Sequence, residues 1–336
     1  MLFRRTLRTS AATLALLLPF AAACGTQAQA GSSSTVTLRV GATGWKLEEA
    51  VLKYAGLDDT PYKVKWSQFQ GGDQQLQAIR AGALDLASSS EIPPIFAAAD
   101  GEPNFEVVAV QRGATLNQEV VVPKDSKVTD IAGLKGKKVG YVQNTTAHYF
   151  LYKLLKQAGL NWSDVDAEPL LPNDGLAALN GGSIDAFASY GTSIITAHQQ
   201  GATTVGSGKD ILSGNFLWSA RDSVLKSPEQ KAAAADLIAR ITKAYAYVRD
   251  GHEDGFAQVT ADATHQPLAQ AKKDLVDAQA QRPTQARTVG ADTIASQQKV
   301  ADVFTELGAL KEHLDVKSFW TTELNTDLNA DLKKAP

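Results

Sequence analysis

The sequence predicts an α/β fold in which two mixed, mostly parallel sheets are each flanked by helices. From residue 36 onward, short apolar runs of strand length alternate with segments of helical periodicity. The same alternation restarts near residue 118, which indicates a second unit of similar construction. After the Ser-Pro pair at residues 227–228 the pattern is helical, so we expect a helical C-terminal extension.

The first unit contains four predicted strands and two predicted helices. Short runs rich in β-branched and aromatic residues favour strands at residues 36–42, 62–69, 84–90 and 105–112. Longer periodic segments favour helices at residues 46–55 and 73–82, and Gly82 supplies a helix stop. This strand–helix–strand order is typical of parallel strands joined by crossover helices.

The second unit repeats this order. Strands are predicted at residues 118–125, 137–142, 184–190 and 203–206, and helices at residues 145–159 and 192–200. A further strand-like stretch at residues 215–222 is in a position to lead back to the first unit. Apolar stripes in the C-terminal segment indicate helices that pack on a core.

Composition and charge exclude several classes of function. The net charge of −3 over 336 residues, with both signs spread along the chain, gives no reason to expect a nucleic-acid partner. A single cysteine cannot form an internal disulfide, and five scattered histidines offer no zinc-binding spacing. We therefore expect neither a metal site nor a cofactor.

Residues 1–23 have the three parts of an export signal. Arg4, Arg5 and Arg8 form a positive region, and an apolar stretch follows at residues 11–20. That stretch is too short to span a bilayer as a helix. Small residues then precede Cys24, at a position typical of signal cleavage.

The Ala-Ala-Ala-Cys sequence that ends at Cys24 resembles a bacterial lipobox. It predicts a diacylated Cys24, whose two chains suffice for stable membrane anchoring, followed by a flexible tether over residues 24–34. An alternative is a plain secretory signal cut near Ala30. The Arg4-Arg5 pair also gives a weak indication of twin-arginine export.

Three predicted strand-to-helix junctions carry small or hydroxyl residues. They are Gly71-Gly72, Ser89-Ser90-Glu91, and Thr145-Thr146 with His148. Free N–H groups at a helix start attract anions, although serine and threonine there are often only helix caps. Because three such junctions coincide and one lies in the second unit, we expect a cleft that closes on one ligand.

Long segments of the chain resemble a known family. Residues 64–99, 131–160 and 182–197 are similar to the sulfonate, taurine and nitrate solute-binding proteins of ATP-binding-cassette (ABC) importers. The shared features are a Phe-x-x-Gly turn before a helix, an Ile-Pro-Pro turn, and a Leu-Lys-Gly-Lys-Lys-Val strand. The resemblance extends over roughly residues 38–311.

The resemblance implies a periplasmic-binding-protein type II fold with two lobes joined by two crossing strands. Lobe 1 would comprise residues 36–117 and 222–336, and lobe 2 residues 118–221. The protein would be a monomeric receptor that binds a small anion in the cleft and delivers it to the permease subunits. Its contact with the membrane would be through the lipid anchor only.

The resemblance also implies a set of ligand-binding residues. Carried over to this chain, the family's sulfonate site corresponds to Gly71, Gly72, Ser89, Ser90, Thr145, Thr146 and His148. Glu91 belongs to the same polar turn, and Tyr190 and Gly191 end a strand that faces the cleft. Trp45 is expected to form a pocket wall, or else to be an ordinary core residue.

One departure from the family pattern concerns the ligand. Relatives often carry Trp-Asp-Pro where this chain has Tyr190-Gly191-Thr192. The missing carboxylate removes a partner for a ligand amine, and Gly191 leaves room for bulk. We therefore expect a sulfonate with a larger or more apolar tail than taurine.

Other functions stay open at this point. The same receptor role could serve nitrate, bicarbonate or a pyrimidine-like ligand. A thiamine-precursor synthase shares the fold, but the chain lacks its cysteine-rich motif, so we expect no enzyme. A surface adhesion or signalling lipoprotein is a further alternative.

Overall fold

Two β-sheets organise the chain. The computed structural model describes residues 35–334, so the predicted signal, Cys24 and the tether lie outside the described residues. In chain order the strands are β1 (Thr37–Thr43), β2 (Lys63–Phe69), β3 (Leu86–Ser90), β4 (Phe105–Arg112), β5 (Gln118–Val122), β6 (Lys138–Tyr141), β7 (Asp166–Pro169), β8 (Ala186–Tyr190), β9 (Thr203–Ser207), β10 (Asn215–Arg221) and β11 (Gln285–Arg287).

Helices connect and cover these strands. They are α1 (Leu47–Tyr54), α2 (Gly72–Arg80), α3 (Pro93–Ala99), α4 (Thr146–Gln157), α5 (Pro172–Asn180), α6 (Thr192–Gln199), α7 (Asp222–Leu225), α8 (Pro228–Arg249), α9 (Glu253–Thr264), α10 (Leu268–Gln281), α11 (Ala291–Glu306) and α12 (Asn325–Lys333). Within residues 35–334, no helix combines the length and apolar character needed to cross a bilayer.

Each sheet is mixed. The first has the strand order β11-β4-β10-β3-β1-β2, and the second β7-β6-β8-β5-β9. Pairing is parallel around β1 and β6, where helices connect the strands. It is antiparallel around β5 and β10, because each of these strands enters directly from the other sheet without a crossover helix. The sheets are therefore less parallel than the alternating sequence pattern predicts.

Helices cover both faces of each sheet and form the cores. In the first sheet one face packs on α1, α8 and α12, and the other on α2, α3 and α11. In the second sheet α4, α5 and α6 supply the apolar contacts. We call the first sheet with α1–α3 and α7–α12 lobe 1, and the second sheet with α4–α6 lobe 2. The predicted two-lobed α/β fold with helical C-terminal extension is confirmed.

Two segments join the lobes, between β4 and β5 and between β9 and β10. They run side by side, since the Gly113 N–H donates to the Gly214 carbonyl at 3.0 Å. The Thr115 hydroxyl donates to the Lys209 carbonyl at 2.9 Å. These segments are the two crossing connections that the resemblance implied.

The end of lobe 2 differs from the expected boundary at residue 221. Strand β10, residues 215–221, pairs with β3 and β4 and so belongs to the sheet of lobe 1. The physical reason is burial, because Leu217 and Trp218 lie in the middle of that sheet with at most 1 % of their surface exposed. The chain thus returns to lobe 1 before Asn215.

Candidate ligand-binding cleft

A cavity of about 650 Å³ lies where the two lobes meet. Six strand-to-helix junctions line it, three from each lobe, together with the crossing segments. This is the edge at which open α/β sheets bind ligands. The lining residues are Thr43, Gly44, Trp45, Leu47, Glu48, Gln68, Phe69, Gln70, Gly72, Gln74, Ser88, Ser89, Ser90, Pro93, Ala114, Leu116, Gln118, Thr145, Thr146, Pro172, Asn173, Tyr190, Gly191, Thr192, Ile195 and Phe216.

Several helices begin at the cavity without a side-chain cap. Gly71 precedes α2 and Gly191 precedes α6, and neither makes a capping side-chain hydrogen bond. Leu171, which precedes α5, makes none either, but α5 begins with Pro172, which has no N–H, and the Asn173 N–H donates to Gln70. Helix α4 differs, because the Thr145 hydroxyl accepts from the Ala147 N–H at 3.2 Å. Uncapped first-turn N–H groups carry partial positive charge, so the helix starts of both lobes suit a negatively charged group.

The start of α2 lies very close to the end of β3. A Cβ atom at Gly72 would be 2.4 Å from the Cβ of Ser89 and 2.8 Å from Cγ of Pro93. Only glycine permits this approach without displacing the backbone. The first-turn N–H groups of α2 and the hydroxyls of the β3 turn are thereby held on one side of the cleft.

Lobe 2 supplies hydroxyl and amide groups on the opposite side. The Thr146 hydroxyl, at the first position of α4, donates to Oε1 of Gln118 at 2.6 Å. Both residues are at most 8 % exposed. This contact fixes the Gln118 amide at the point where a crossing segment enters lobe 2.

The lobes contact each other at the cleft. The Tyr190 hydroxyl donates to the Gln70 carbonyl at 3.3 Å, and the Asn173 N–H donates to Oε1 of Gln70 at 3.4 Å. Burial and the nearby Asp73 charge raise the pKa of Tyr190 above its ordinary value, so its phenol stays a neutral donor. Gln70 thus connects lobe 1 to two junctions of lobe 2.

The cleft holds little formal charge. Glu48 supplies the one carboxyl group among the lining residues, and the lining contains no lysine, arginine or histidine. An oxyanion in this cleft would therefore be bound by hydroxyls, amides and backbone N–H groups. Helix N-termini make such binding feasible without a cationic side chain.

Most of the sequence-predicted residues are brought together at this cleft. Gly71 lies just behind the lining, where a Cβ atom would be 3.3 Å from the Tyr190 hydroxyl. The predicted residues that line the cavity are Trp45, Gly72, Ser89, Ser90, Thr145, Thr146, Tyr190 and Gly191. Their roles in binding stay predictions.

His148 does not line the cleft, which corrects the expected contact with the ligand. Its ring is 4 % exposed and packs against Tyr141, Trp162 and Phe304 with ring centroids 4.8–5.1 Å apart. Burial lowers the pKa of His148 to about 4, so the ring is neutral at neutral pH. Because α4 turns His148 away from the cavity, it contributes to the aromatic contact between α4 and α11 instead.

Glu91 is also displaced from its expected place in the cleft. Its carboxylate is 5 % exposed and accepts hydrogen bonds from the hydroxyls of Ser213 and Ser296. Burial raises the pKa of Glu91, against the effect of these hydrogen bonds. Ser213 lies in a crossing segment and Ser296 in α11, so Glu91 connects these two parts of the chain by hydrogen bonds. We therefore assign Glu91 a structural role.

Five amide side chains that line the cleft were not among the predicted site residues. They are Gln68, Gln70, Gln74, Gln118 and Asn173. Asn173 follows the strand-to-helix junction at α5, which has the same construction as the junctions that were selected. Its position after Leu171-Pro172 was the signal that could have indicated it. Glu48, on the first turn of α1, was missed as well.

The fold and the cleft define a class of protein, in which two α/β lobes enclose a solute between their helix starts. A sequence model of the family described as NMT1/THI5 like matches residues 59–247. That match spans more than half of the chain, and the chain belongs to this family.

Relatives with described ligands share the whole body of the chain. An aliphatic sulfonates-binding protein of Escherichia coli (strain K12) is 30 % identical over 298 residues, which cover 87 % of this chain and 91 % of that protein. The periplasmic aliphatic sulphonate binding protein SsuA from Escherichia coli superposes with a TM-score of 0.72 at 27 % identity, over 86 % of this chain and 93 % of that chain.

A second solved structure shares the fold. The alkanesulfonate-binding protein SsuA from Xanthomonas axonopodis pv. citri, bound to MOPS, superposes with a TM-score of 0.76 at 24 % identity. The match covers 85 % of this chain and 98 % of that chain. These relatives are described as binding proteins rather than as enzymes.

Proposed function

We propose that the protein is the solute-binding receptor of an ABC importer, which binds an organosulfonate in its cleft and delivers it to the permease. The observation that carries this proposal is the convergence of uncapped helix starts from both lobes on one cavity of about 650 Å³. The sulfonate-binding relatives support it. Two crossing segments are suited to a hinge about which the lobes close on the ligand.

The ligand's tail is larger than that of taurine in this proposal. The cavity volume falls in the range of sites for drug-sized ligands, about 300–1,000 Å³. Apolar side chains of Leu116, Ile195 and Phe216 line part of it. At Gly191 a Cβ atom would have no neighbour within 4 Å, so the glycine leaves open space for the tail.

Calorimetric titration of residues 35–336 with sulfonates tests the receptor role. We expect 1-hexanesulfonate to bind roughly tenfold or more tightly than taurine, because each buried methylene contributes about 0.8 kcal/mol. The same sulfonate should raise the melting temperature in proportion to occupancy, since it binds the folded state.

The control ligand is 1-hexanol, which keeps the tail and lacks the oxyanion, and we expect no measurable binding. Tighter binding of taurine than of hexanesulfonate would contradict the large-tail proposal. Absence of binding by every alkyl and aryl sulfonate would contradict the receptor proposal itself. Recovery of the sulfonate unchanged after prolonged incubation separates a receptor from an enzyme.

Nitrate and bicarbonate fit the cleft less well than an organosulfonate. His148 was the one cationic group expected near the ligand, and it lies outside the cavity. A small inorganic ion would fill little of about 650 Å³ and would leave the apolar walls in contact with water.

We also propose that Cys24 carries the lipid anchor and holds the receptor at the outer face of the cell membrane. The small-residue sequence before Cys24 supports the anchor. The periplasmic location of the Escherichia coli relative supports a position outside the cytoplasm. Two acyl chains give stable anchoring, and residues 25–34 would then separate the body from the bilayer.

Replacement of Cys24 by serine tests the anchor in cells that express the full chain. We expect the protein to move from the membrane fraction to the soluble extracytoplasmic fraction, because the proposed lipid anchor is lost. Sulfonate affinity should be unchanged, since the residues that line the cleft begin at Thr43. A wild-type protein that is already soluble would instead indicate cleavage near Ala30.

A further inference from the structure

One carboxylate lines the cleft without a cationic partner. Glu48 lies in the first turn of α1, and its side chain is half-buried at the cavity wall. Its neighbour Glu49 pairs with Lys53 at 2.7 Å and with Lys46 at 3.6 Å. Among residues 35–334, no lysine, arginine or histidine forms an ion pair with Glu48. The two adjacent acids of α1 therefore differ in environment.

The surroundings of Glu48 do not favour an isolated negative charge. Burial raises the pKa of Glu48 above its ordinary value. Burial raises the pKa of Tyr245 on α8, and the Glu48 charge raises it further. A neutral phenol does not compensate a carboxylate, so a bound cation would improve the electrostatic balance of this wall.

We propose that Glu48 binds a cationic nitrogen on the ligand's tail, so that the ligands are zwitterionic sulfonates with an ammonium between the sulfonate and a bulky apolar group. This rests on the proposed sulfonate-binding function. The helix starts bind the negative end, Glu48 binds the positive centre, and the bound pair adds no net charge to the cleft. Trp45 lines the cavity three residues before Glu48, so one short segment after β1 supplies both an indole and a carboxylate to the cleft.

Trp45 suits the same role. Aromatic faces attract cations, and tryptophan does so most strongly among the aromatic residues. A carboxylate and an indole on one short segment form a wall that favours a protonated amine over a hydrocarbon tail. The neutral amides of the cleft, such as Gln68 and Gln74, would stabilise such a charge less.

Glu48 also changes what the sequence Tyr190-Gly191-Thr192 implies about the ligand. That sequence lacks the carboxylate that relatives often carry in lobe 2, which suggested that the chain has no partner for a ligand amine. The structure supplies a carboxylate from lobe 1 instead. The cleft therefore combines the room left by Gly191 in lobe 2 with a carboxylate from lobe 1.

A matched pair of ligands tests the proposal by calorimetry at pH 7. The first is 3-(cyclohexylamino)propane-1-sulfonate, and the second is 4-cyclohexylbutane-1-sulfonate, in which a methylene replaces the ammonium. We expect the wild type to bind the ammonium ligand roughly tenfold more tightly. In Glu48→Gln that preference should disappear, with little loss of affinity for the neutral-tailed ligand.

Glu49→Gln is the matched control, because it removes one negative charge at the adjacent position outside the cleft. It should keep the wild-type preference. Equal or tighter binding of the neutral-tailed ligand by the wild type would overturn the proposal, as would a preference that survives in Glu48→Gln. Because the wild-type comparison uses no variant, it decides the matter even if Glu48→Gln folds poorly. Failure of both ligands to bind would also overturn the proposal. Binding of 1-hexanesulfonate in the same experiment would then show that the receptor role itself survives, which distinguishes the two failures.

Discussion

Replacement of Asp85 by alanine is expected to lower the free energy of unfolding by about 3–5 kcal/mol. Asp85, which precedes β3, is 2 % exposed and accepts three hydrogen bonds from Arg39, through its backbone N–H, Nε and Nη2, at 2.6–2.9 Å. It also accepts one from Arg221 at 2.8 Å. Because Arg39 lies in β1, Arg221 in β10 and Asp85 directly before β3, the carboxylate joins three strands of lobe 1. Its removal leaves two guanidinium groups without their shared partner.

Urea unfolding, followed by tryptophan fluorescence, measures this effect. Asp210→Ala is the control, because its carboxylate is 84 % exposed and lies 4.0 Å from Lys209. We expect that control to change stability by no more than about 0.5 kcal/mol. A similar small change in Asp85→Ala would show that the buried carboxylate is not needed to hold the strands together.

The pH dependence of this contact has a definite sign. Burial acts to raise the pKa of Asp85, but the hydrogen bonds from Arg39 and Arg221 outweigh it and hold that pKa below its ordinary value. A carboxyl with a lowered folded-state pKa stabilises the protein above its unfolded pKa of about 3.9. The contribution is then lost as the pH falls through the folded-state pKa, so it is present across the neutral range.

The alternation of strands and helices could be predicted from the sequence because each element carries its own local pattern. Residues 62–69 and 184–190 have strand-forming residues between turn signals, and both contain strands of the structure. The sheet to which a strand belongs is a tertiary property. The prediction for residues 215–221 therefore gave the right type of element but placed it in the wrong lobe. The partners of β10, which are β3 and β4, lie more than 100 residues away along the chain.

The helix starts of the candidate site could be predicted for the same local reason. Glycine or hydroxyl residues between a strand and a helix mark the end of the sheet at which a ligand can bind. The direction of a single side chain was not predictable in this way. His148 belongs to a predicted junction, but its position on α4 directs the ring to Trp162 and Phe304 instead of the cleft.

Glu48 shows a different limit of sequence reasoning. The pair Glu48-Glu49 in the first turn of a helix has an ordinary explanation, because acidic residues there interact well with the helix dipole. Nothing in the local pattern separates the glutamate that lines the cleft from the one that pairs with Lys53. The distinction depends on how α1 is rotated against lobe 1, which the packing of the whole lobe determines.

Replacement of Thr146 by aspartate is expected to reduce 1-hexanesulfonate affinity by roughly 100-fold or more. Thr146 is 8 % exposed, lines the cleft and occupies the first position of α4. A carboxylate there lies where the proposed sulfonate binds, and two like charges about 4 Å apart repel by up to about 4 kcal/mol at the effective dielectric of such sites. A hundredfold loss of affinity corresponds to about 2.7 kcal/mol.

The Thr146→Asp variant should lose sulfonate affinity without losing folding stability, so a loss of affinity cannot be attributed to unfolding. Acidic groups at a helix N-terminus stabilise the helix by about 0.3–1 kcal/mol, and the Gln118 amide can turn to donate to the new carboxylate. Thr146→Asn is the matched control, because asparagine has the same shape as aspartate and no charge, and it should retain most of the affinity. If the aspartate and asparagine variants bound hexanesulfonate equally well, the negative end of the ligand would not lie at the start of α4. The convergence of helix starts would then be a feature of the fold alone.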